Sequence, residues 1–196
     1  FFGCTGLTNI TIPNGVTTIG EYAFSGCTGL TSITIPDKVT KIANNTFYNC
    51  VGLKSVIINN GVVSIGEKAF YGCKGITRIS IPNSIKYIGR YAFYGCSSLK
   101  SVIIPNTVEC IERYTFYGCS GLTSITIPNG VKTIEHDSFY GCSGLTNINI
   151  PRSVGSIEYD AFYGCNNINS ITVDRDNVTY RSDGNCIIEV KVKKLI

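Results

Sequence analysis

Residues 122–142 read LTSITIPNGVKTIEHDSFYGC. Leu122, Ile125 and Ile127 make an L-x-x-L-x-L run in which Ile125 and Ile127 share one face and Ser124 and Thr126 the other. Alternation built from β-branched residues is the pattern of a short strand. Pro128 ends it, because proline has no N–H to give a sheet and fixes its own φ. Asn129-Gly130 makes a turn. Val131 and Ile134 then point inward from a second short extended segment. The stretch from Glu135 to Cys142 carries small Ser138 before Phe139 and Gly141 after it. It reads as a single helical or 3₁₀ turn that tucks the phenylalanine inward. A coil this short cannot bury Leu122, Ile125, Ile127, Val131, Ile134, Phe139 and Cys142 by itself.

The segment recurs along the chain. Phe1, Phe24, Phe47, Phe70, Phe93, Phe116, Phe139 and Phe162 stand 23 residues apart, with no insertion or deletion between them. Cys4, Cys27, Cys50, Cys73, Cys96, Cys119, Cys142 and Cys165 each follow three places behind. The corner proline returns as Pro13, Pro36, Pro82, Pro105 and Pro151, and Asn59 takes its place once. A strict period in this range means one coil stacked on itself, with stability close to a nearest-neighbour sum. The expected fold is therefore a repeat solenoid of mainly short parallel strands with one short helical or 3₁₀ turn per coil. Repetition multiplies a scaffold position rather than assembling one asymmetric active site, so the chain reads as non-enzymatic, with no cofactor and no metal.

Composition agrees. Charged residues are 15% of the 196, and no stretch reaches the roughly 20 apolar residues a membrane helix needs. Within this sequence no charged-then-apolar leader is found, so no secretory signal is expected in this piece. The chain begins inside a repeat, at Phe1-Phe2-Gly3-Cys4, and reads as a piece of something longer. Its net charge of +4 is uneven: residues 1–98 carry eight Lys/Arg against three Asp/Glu, residues 99–196 nine against ten. A basic half can favour an acidic partner, although scattered lysines also serve solubility. There is no dense basic run or nucleic-acid motif, so no nucleic-acid partner is expected.

Ten cysteines would ordinarily suggest a disulfide framework. Eight of them hold one repeat position, however, and so form a ladder of side chains pointing the same way. Their Cβ atoms would then sit about 4.8 Å apart, against about 3.8 Å in a disulfide. Buried free thiols acting as small hydrophobes are expected. Cys110 falls on a column otherwise occupied by Thr18, Lys41, Ser64, Tyr87, Thr133 and Ser156, and is expected to be exposed. Cys186 lies too far along the chain to reach it.

The repeat F-Y-G-C-S/T-G-L-T-S/N-I-T-I-P-N-G/S-V-x-x-I-G/E-x-x-A/S/T resembles the BspA-like leucine-rich repeat, over residues 1–173. The resemblance implies a leucine-rich-repeat superhelix. Residues 174–196, including Asn177-Val178-Thr179-Tyr180, resemble the non-repeat hairpins of that family, which pack on or continue the solenoid and are usually followed by further repeats. The family is found mostly among bacterial cell-surface or secreted proteins and is associated with adhesion to host proteins and to other cells. The resemblance thus implies a surface binding module whose partner is a protein, such as a host surface or matrix protein, or a glycan. A structural spacer that carries a functional domain elsewhere is the rival reading.

Leucine-rich repeats usually make contact through the strand face. Its outward positions here are small and polar, and Ser55, Ile57, Arg78, Ser80, Ser101, Ile103, Ser124 and Thr126 are the candidate partner-binding residues. Arg78, Ile57 and Ile103 break the pattern, which is where selection for a ligand would show. A second column, Tyr48, Tyr71, Tyr94, Tyr117, Tyr140 and Tyr163, suits either an interface or a half-buried edge of stacked rings, and the edge is favoured. His136 stands on a variable, exposed column as a bystander. Glu135, Asp137, Glu158 and Asp160 read as a solvated charged face. Asn9, Asn44 and Asn177 begin N-x-T triplets, which matter only in a eukaryotic secretory setting. The first coil's apolar face invites end-to-end self-association.

Overall fold

The computed structural model describes residues 1–184 and 186–190. They form a solenoid of three-sided coils. Strands are numbered β1–β15 in chain order. One side is built from β1 (Ser32–Ile35), β3 (Ser55–Ile58), β5 (Arg78–Ser80), β7 (Ser101–Ile103), β9 (Ser124–Thr126), β11 (Asn147–Ile150) and β13 (Ser170–Val173). The next side carries β2 (Lys41–Ile42), β4 (Ser64–Ile65), β6 (Tyr87–Ile88), β8 (Cys110–Ile111), β10 (Thr133–Ile134) and β12 (Ser156–Ile157). Each is the short extended segment that the alternation predicts. Within each sheet a strand pairs parallel with its copy one coil on, in 23-residue register, as in Ser32↔Ser55 and Ile42↔Ile65. The first side forms a five-stranded sheet from β1 to β9 and a two-stranded sheet of β11 and β13. The second side divides into β2-β4-β6 and β8-β10-β12.

The third side is not the helical turn that the sequence suggests. Among the described residues no helix forms there, and the chain instead runs as consecutive tight turns. In Tyr22–Cys27 the N–H groups of Ala23, Ser25 and Cys27 close turns onto Gly20, Tyr22 and Phe24 carbonyls at 3.0–3.3 Å. Those of Tyr22, Phe24 and Gly26 reach the next coil, at Asn44, Thr46 and Tyr48. Half the donors thus stack the coils, which a helix would keep for itself. The alternation needs left-handed backbone twice per coil. Tyr22, Asn45, Lys68, Tyr91, Tyr114, Asp137 and Asp160 hold φ of 54–60°, and the Gly141 position recurs as Gly26, Gly72, Gly95, Gly118 and Gly164, with Asn49 once at φ 55°. The sequence shows that glycine column but not the first, where ordinary side chains accept the strain.

The interior is a set of columns. Phenylalanine rings stack from Phe1 to Phe162 with centroids 5.2–5.5 Å apart and planes within 7° of parallel. That is offset stacking, worth about 0.5–1.5 kcal/mol per pair beyond the area buried. Leu122, Ile125, Ile127, Val131 and Ile134 are buried beside them.

Seven of the eight ladder cysteines, Cys27, Cys50, Cys73, Cys96, Cys119, Cys142 and Cys165, are buried and free, whereas Cys4 in the first coil is exposed. Each buried thiol donates to the carbonyl of the phenylalanine one coil back, as Cys50 to Phe24 (2.9 Å) and Cys119 to Phe93 (3.2 Å). The Phe93 carbonyl also accepts from Cys96 N, so the thiol fills its second lone pair. Burial, followed by the neighbouring thiol, pushes Cys50 up to about 12 and Cys73, Cys96, Cys119 and Cys142 well up. Cys110 is half-buried rather than exposed, with burial and the Glu112 carboxylate raising it to about 12.

The last coil carries an antiparallel hairpin, β14 (Tyr180–Asp183) with β15 (Cys186–Glu189). Asn177 seats it. Its amide donates to the Pro151 and Val154 carbonyls at 2.8 and 3.0 Å, and its Oδ1 accepts from the N–H groups of Thr179 and Tyr180. The Tyr180 hydroxyl accepts from Ile157 N at 2.9 Å. Residues 185 and 191–196 of the expected 174–196 segment lie outside the described residues. Among the described residues no helix is long and apolar enough to cross a membrane.

Candidate functional site on the strand face

Period-two alternation turns every second residue of the strand side outward. All eight residues singled out from the sequence, Ser55, Ile57, Arg78, Ser80, Ser101, Ile103, Ser124 and Thr126, lie exposed on this one face. The register places Ser55, Arg78 and Ser101 in one row along the solenoid, and Ile57 beside Ser80 in the next. Ile57 is 53% exposed and Ile103 72%, unusual for isoleucines in a chain that buries most of the others.

The ladder thins here, as it also breaks between β9 and β11. Between β5 and β7 the pairing registers only at Arg78↔Ser101, and on the neighbouring side β6 and β8 do not pair. Thr107 sits at the same junction, in a column that Lys38, Ser84 and Ser153 also fill with side chains and that is glycine at Gly61 and Gly130. At those glycines an added Cβ would fall within 2 Å of the previous coil's carbonyl oxygen. The Thr107 hydroxyl donates to the Ile85 carbonyl, as the Ser84 hydroxyl does to the Val62 carbonyl one coil earlier. A hollow of about 340 Å³ opens on the strand face, lined by Arg78, Ser80, Ser101, Ile103 and the backbone between them. A second, of about 410 Å³, starts at Ile103 and follows the proline corner through Pro105, Pro128 and Pro151.

Sequence reasoning passed over two residues here. Lys54 and Lys100 are exposed one place before Ser55 and Ser101. Their column otherwise reads Thr8, Thr31, Thr77, Thr123, Thr146 and Asn169. The signal is present in the sequence, but it stands at the strand edge, outside the two outward columns of the strand itself. Among the described residues, Lys54, Arg78 and Lys100 make no ion pair. The segments 53–59, 76–82 and 99–105 contain no carboxylate. Three cations and two exposed isoleucines therefore fall within three successive coils of a face that is otherwise serine, threonine and asparagine.

The turn face is different in kind. Tyr48, Tyr71, Tyr94, Tyr117, Tyr140 and Tyr163 stack at 4.6–5.1 Å, each ring covering the next. Tyr91 and Tyr114 stack beside them at 4.7 Å, and Lys68 lies 5.1 Å over the Tyr91 ring. Burial and the adjacent phenols raise Tyr94, and the Asp137 carboxylate raises Tyr114. The charges alongside are mutually engaged, Arg90 with Glu112 and Arg113 with Glu135, and the His136 ring lies 3.5 Å from the Glu158 carboxylate. His136 is half-exposed rather than fully exposed, and its ring Nδ1 lies 3.2 Å from the Tyr159 carbonyl of the next coil. Asp137 and Asp160 hold left-handed positions. Asn177, first of one N-x-T triplet, has its amide buried and committed, so a glycan cannot be attached there in the folded chain.

A search of the curated proteins finds no match. Among solved structures, the leucine-rich repeat protein of T. pallidum is 29% identical, with a TM-score of 0.70, over 76% of this chain and 70% of that one. A leucine-rich repeat protein of Bacteroides ovatus is 30% identical with a TM-score of 0.59, over 88% of this chain and 57% of that one. One from Eubacterium ventriosum is 30% identical with a TM-score of 0.54, over 71% and 44%. The family described as BspA type leucine rich repeat region matches in six copies, over residues 1–123 and 109–186. With the period, the parallel coils and these matches in agreement, the chain belongs to the BspA-type leucine-rich repeat family.

Proposed function

We propose that this chain is a non-catalytic binding module of a cell-surface or secreted protein, and that it holds a protein partner through its strand face. The observation that carries the reading is positional. Departures from Ser, Thr and Asn on that face are not scattered. They gather in β3, β5 and β7 and the residues just before them, beside the hollow between β5 and β7. Surface exceptions kept only for solubility have no reason to share one patch, or to place isoleucine in water. Membership of a family that is generally non-enzymatic supports the same reading.

The test is capture from extracellular-matrix and epithelial-surface proteins by the wild type and by a triple variant, Ile57→Thr, Arg78→Ser, Ile103→Thr. These changes restore the residue types of the other coils. A partner held by the wild type and lost by the variant is the expected result. A partner held equally by both removes the strand face as the site and moves attention to the tyrosine column. Absence of any partner across a broad screen favours a spacer that carries a functional domain elsewhere.

A further inference from the structure

The patch also constrains what can occupy it. Ile57 and Ile103 are two coils apart, with Ser80 between them. At the spacing of parallel strands that is about 9.5 Å along the solenoid axis. Lys54 and Lys100 are likewise two coils apart, with Arg78 in the row between them and the isoleucine row. The face therefore presents two stripes parallel to the axis, one cationic and one apolar, and both repeat at about 9.5 Å.

An extended β-strand laid along the axis cannot match this. Its same-face residues recur every second position, at about 6.6 Å, and the third residue points to the other side. A polyproline II segment can. It advances about 3.1 Å per residue with three residues per turn, so positions i and i+3 share a face about 9.3 Å apart. Positions i+1 and i+4 form the adjoining row. Resting on the strand-face reading above, we infer that the occupant is an acidic polyproline II segment of a partner protein, with apolar side chains at every third residue and carboxylates beside them. The apolar residues sit against Ile57 and Ile103. The carboxylates face Lys54, Arg78 and Lys100, which have no acidic partner among the described residues. Arg78 can take one of them bidentately. A segment already in this conformation loses little entropy on docking.

The probe is a synthetic peptide of repeated Pro-Leu-Glu triplets, followed by fluorescence anisotropy. Controls are the same residues scrambled, the triplets with lysine for glutamate, and a peptide alternating leucine and glutamate. The triplet peptide should bind, and should weaken about tenfold or more with Arg78→Glu and with Ile57→Thr/Ile103→Thr. Added salt should weaken it further. Binding by the scrambled or alternating peptide at equal strength would refute the period argument. Indifference to Arg78→Glu would refute the charge argument. If the triplet peptide fails while the triple variant still loses a captured partner, the occupant assigned here is wrong and the strand-face reading stands. Preferential binding of a sulfated or sialylated glycan array would have the same meaning. If the captured partner ignores the triple variant, both are wrong.

Discussion

The turn side and the strand side are generated by the same 23-residue period, yet they use it in opposite ways. On the turn side the repeated side chains are partners for one another. Phe93 lies between Phe70 and Phe116, Tyr94 between Tyr71 and Tyr117, and the Cys96 thiol bonds to the Phe70 carbonyl. A change in any one copy is felt by the coils on both sides, so the columns stay regular. On the strand side the outward residues face water. Stacking demands nothing of them beyond tolerance of the pleat, and there the columns depart from their pattern. Regularity in a solenoid thus marks mutual satisfaction, and departure marks freedom that something else can use.

The sharpest test of this contrast is alkaline pH. In the unfolded chain the ladder thiols ionise near their ordinary value of 9.0, whereas burial holds Cys50 protonated up to about 12 and raises Cys73, Cys96, Cys119 and Cys142 as well. A raised value in the folded state means that stability is intact below the unfolded pKa and is lost as pH climbs toward the folded one. The slope is about 1.4 kcal/mol per thiol per pH unit. Five such thiols acting together should collapse the urea midpoint between about pH 9 and pH 10.5. A midpoint that stays level across that range would mean that the ladder is open to water.

Next in size is Phe93→Ala. It empties a fully buried site and breaks two stacked pairs, and should cost about 3–5 kcal/mol in equilibrium urea unfolding. A loss under about 1 kcal/mol would show that neighbouring coils collapse into the gap and that the column is not a jointly packed unit.

A smaller effect isolates backbone from packing. Gly118 holds φ 67°, and a Cβ there would come no nearer than 3.9 Å to Gly95 Cα. Gly118→Ala therefore creates no clash and measures the left-handed conformation alone, at about 1 kcal/mol by thermal unfolding. Gly118→Asn should cost less, because Asn49 already occupies the equivalent position at φ 55°. Equal costs for the two would point to a steric rather than a conformational origin.

The same contrast explains what could be read from the letters. The coil length, both strands, the inward columns and the free thiols followed from the spacing of Leu122, Ile125, Ile127, Val131, Ile134, Phe139 and Cys142, because burial enforces identity at those positions. The turn side was misread as helical because its hydrogen bonds alternate between its own coil and the next, and no local pattern announces a donor's destination. Positive φ at Tyr22, Lys68 and Tyr114 is likewise invisible, since those residues rarely adopt it. On the strand face Ile57, Arg78 and Ile103 were legible as exceptions. The hollow beside them was not, because no residue's letter shows that the pairing between β5 and β7 thins to Arg78↔Ser101.

The smallest expected effect on stability is also the one that bears most on function. Ile57→Thr, Arg78→Ser and Ile103→Thr should together move the unfolding free energy by no more than about 0.5 kcal/mol. Ile57 and Ile103 are largely exposed, so little burial is lost, and threonine keeps the β-branching that suits the pleat. Arg78 has no ion partner to forfeit among the described residues. Removing its charge beside Lys54 and Lys100 also relieves like-charge repulsion, so a slight gain is within expectation. If the triple variant instead loses more than about 1.5 kcal/mol, these side chains are bracing the loose junction between β5 and β7. In that case a loss of partner capture would be a folding defect, and the strand face would belong with the turn side as structure. If stability holds while capture is lost, the two faces of one repeat have been separated into a frame and a contact surface.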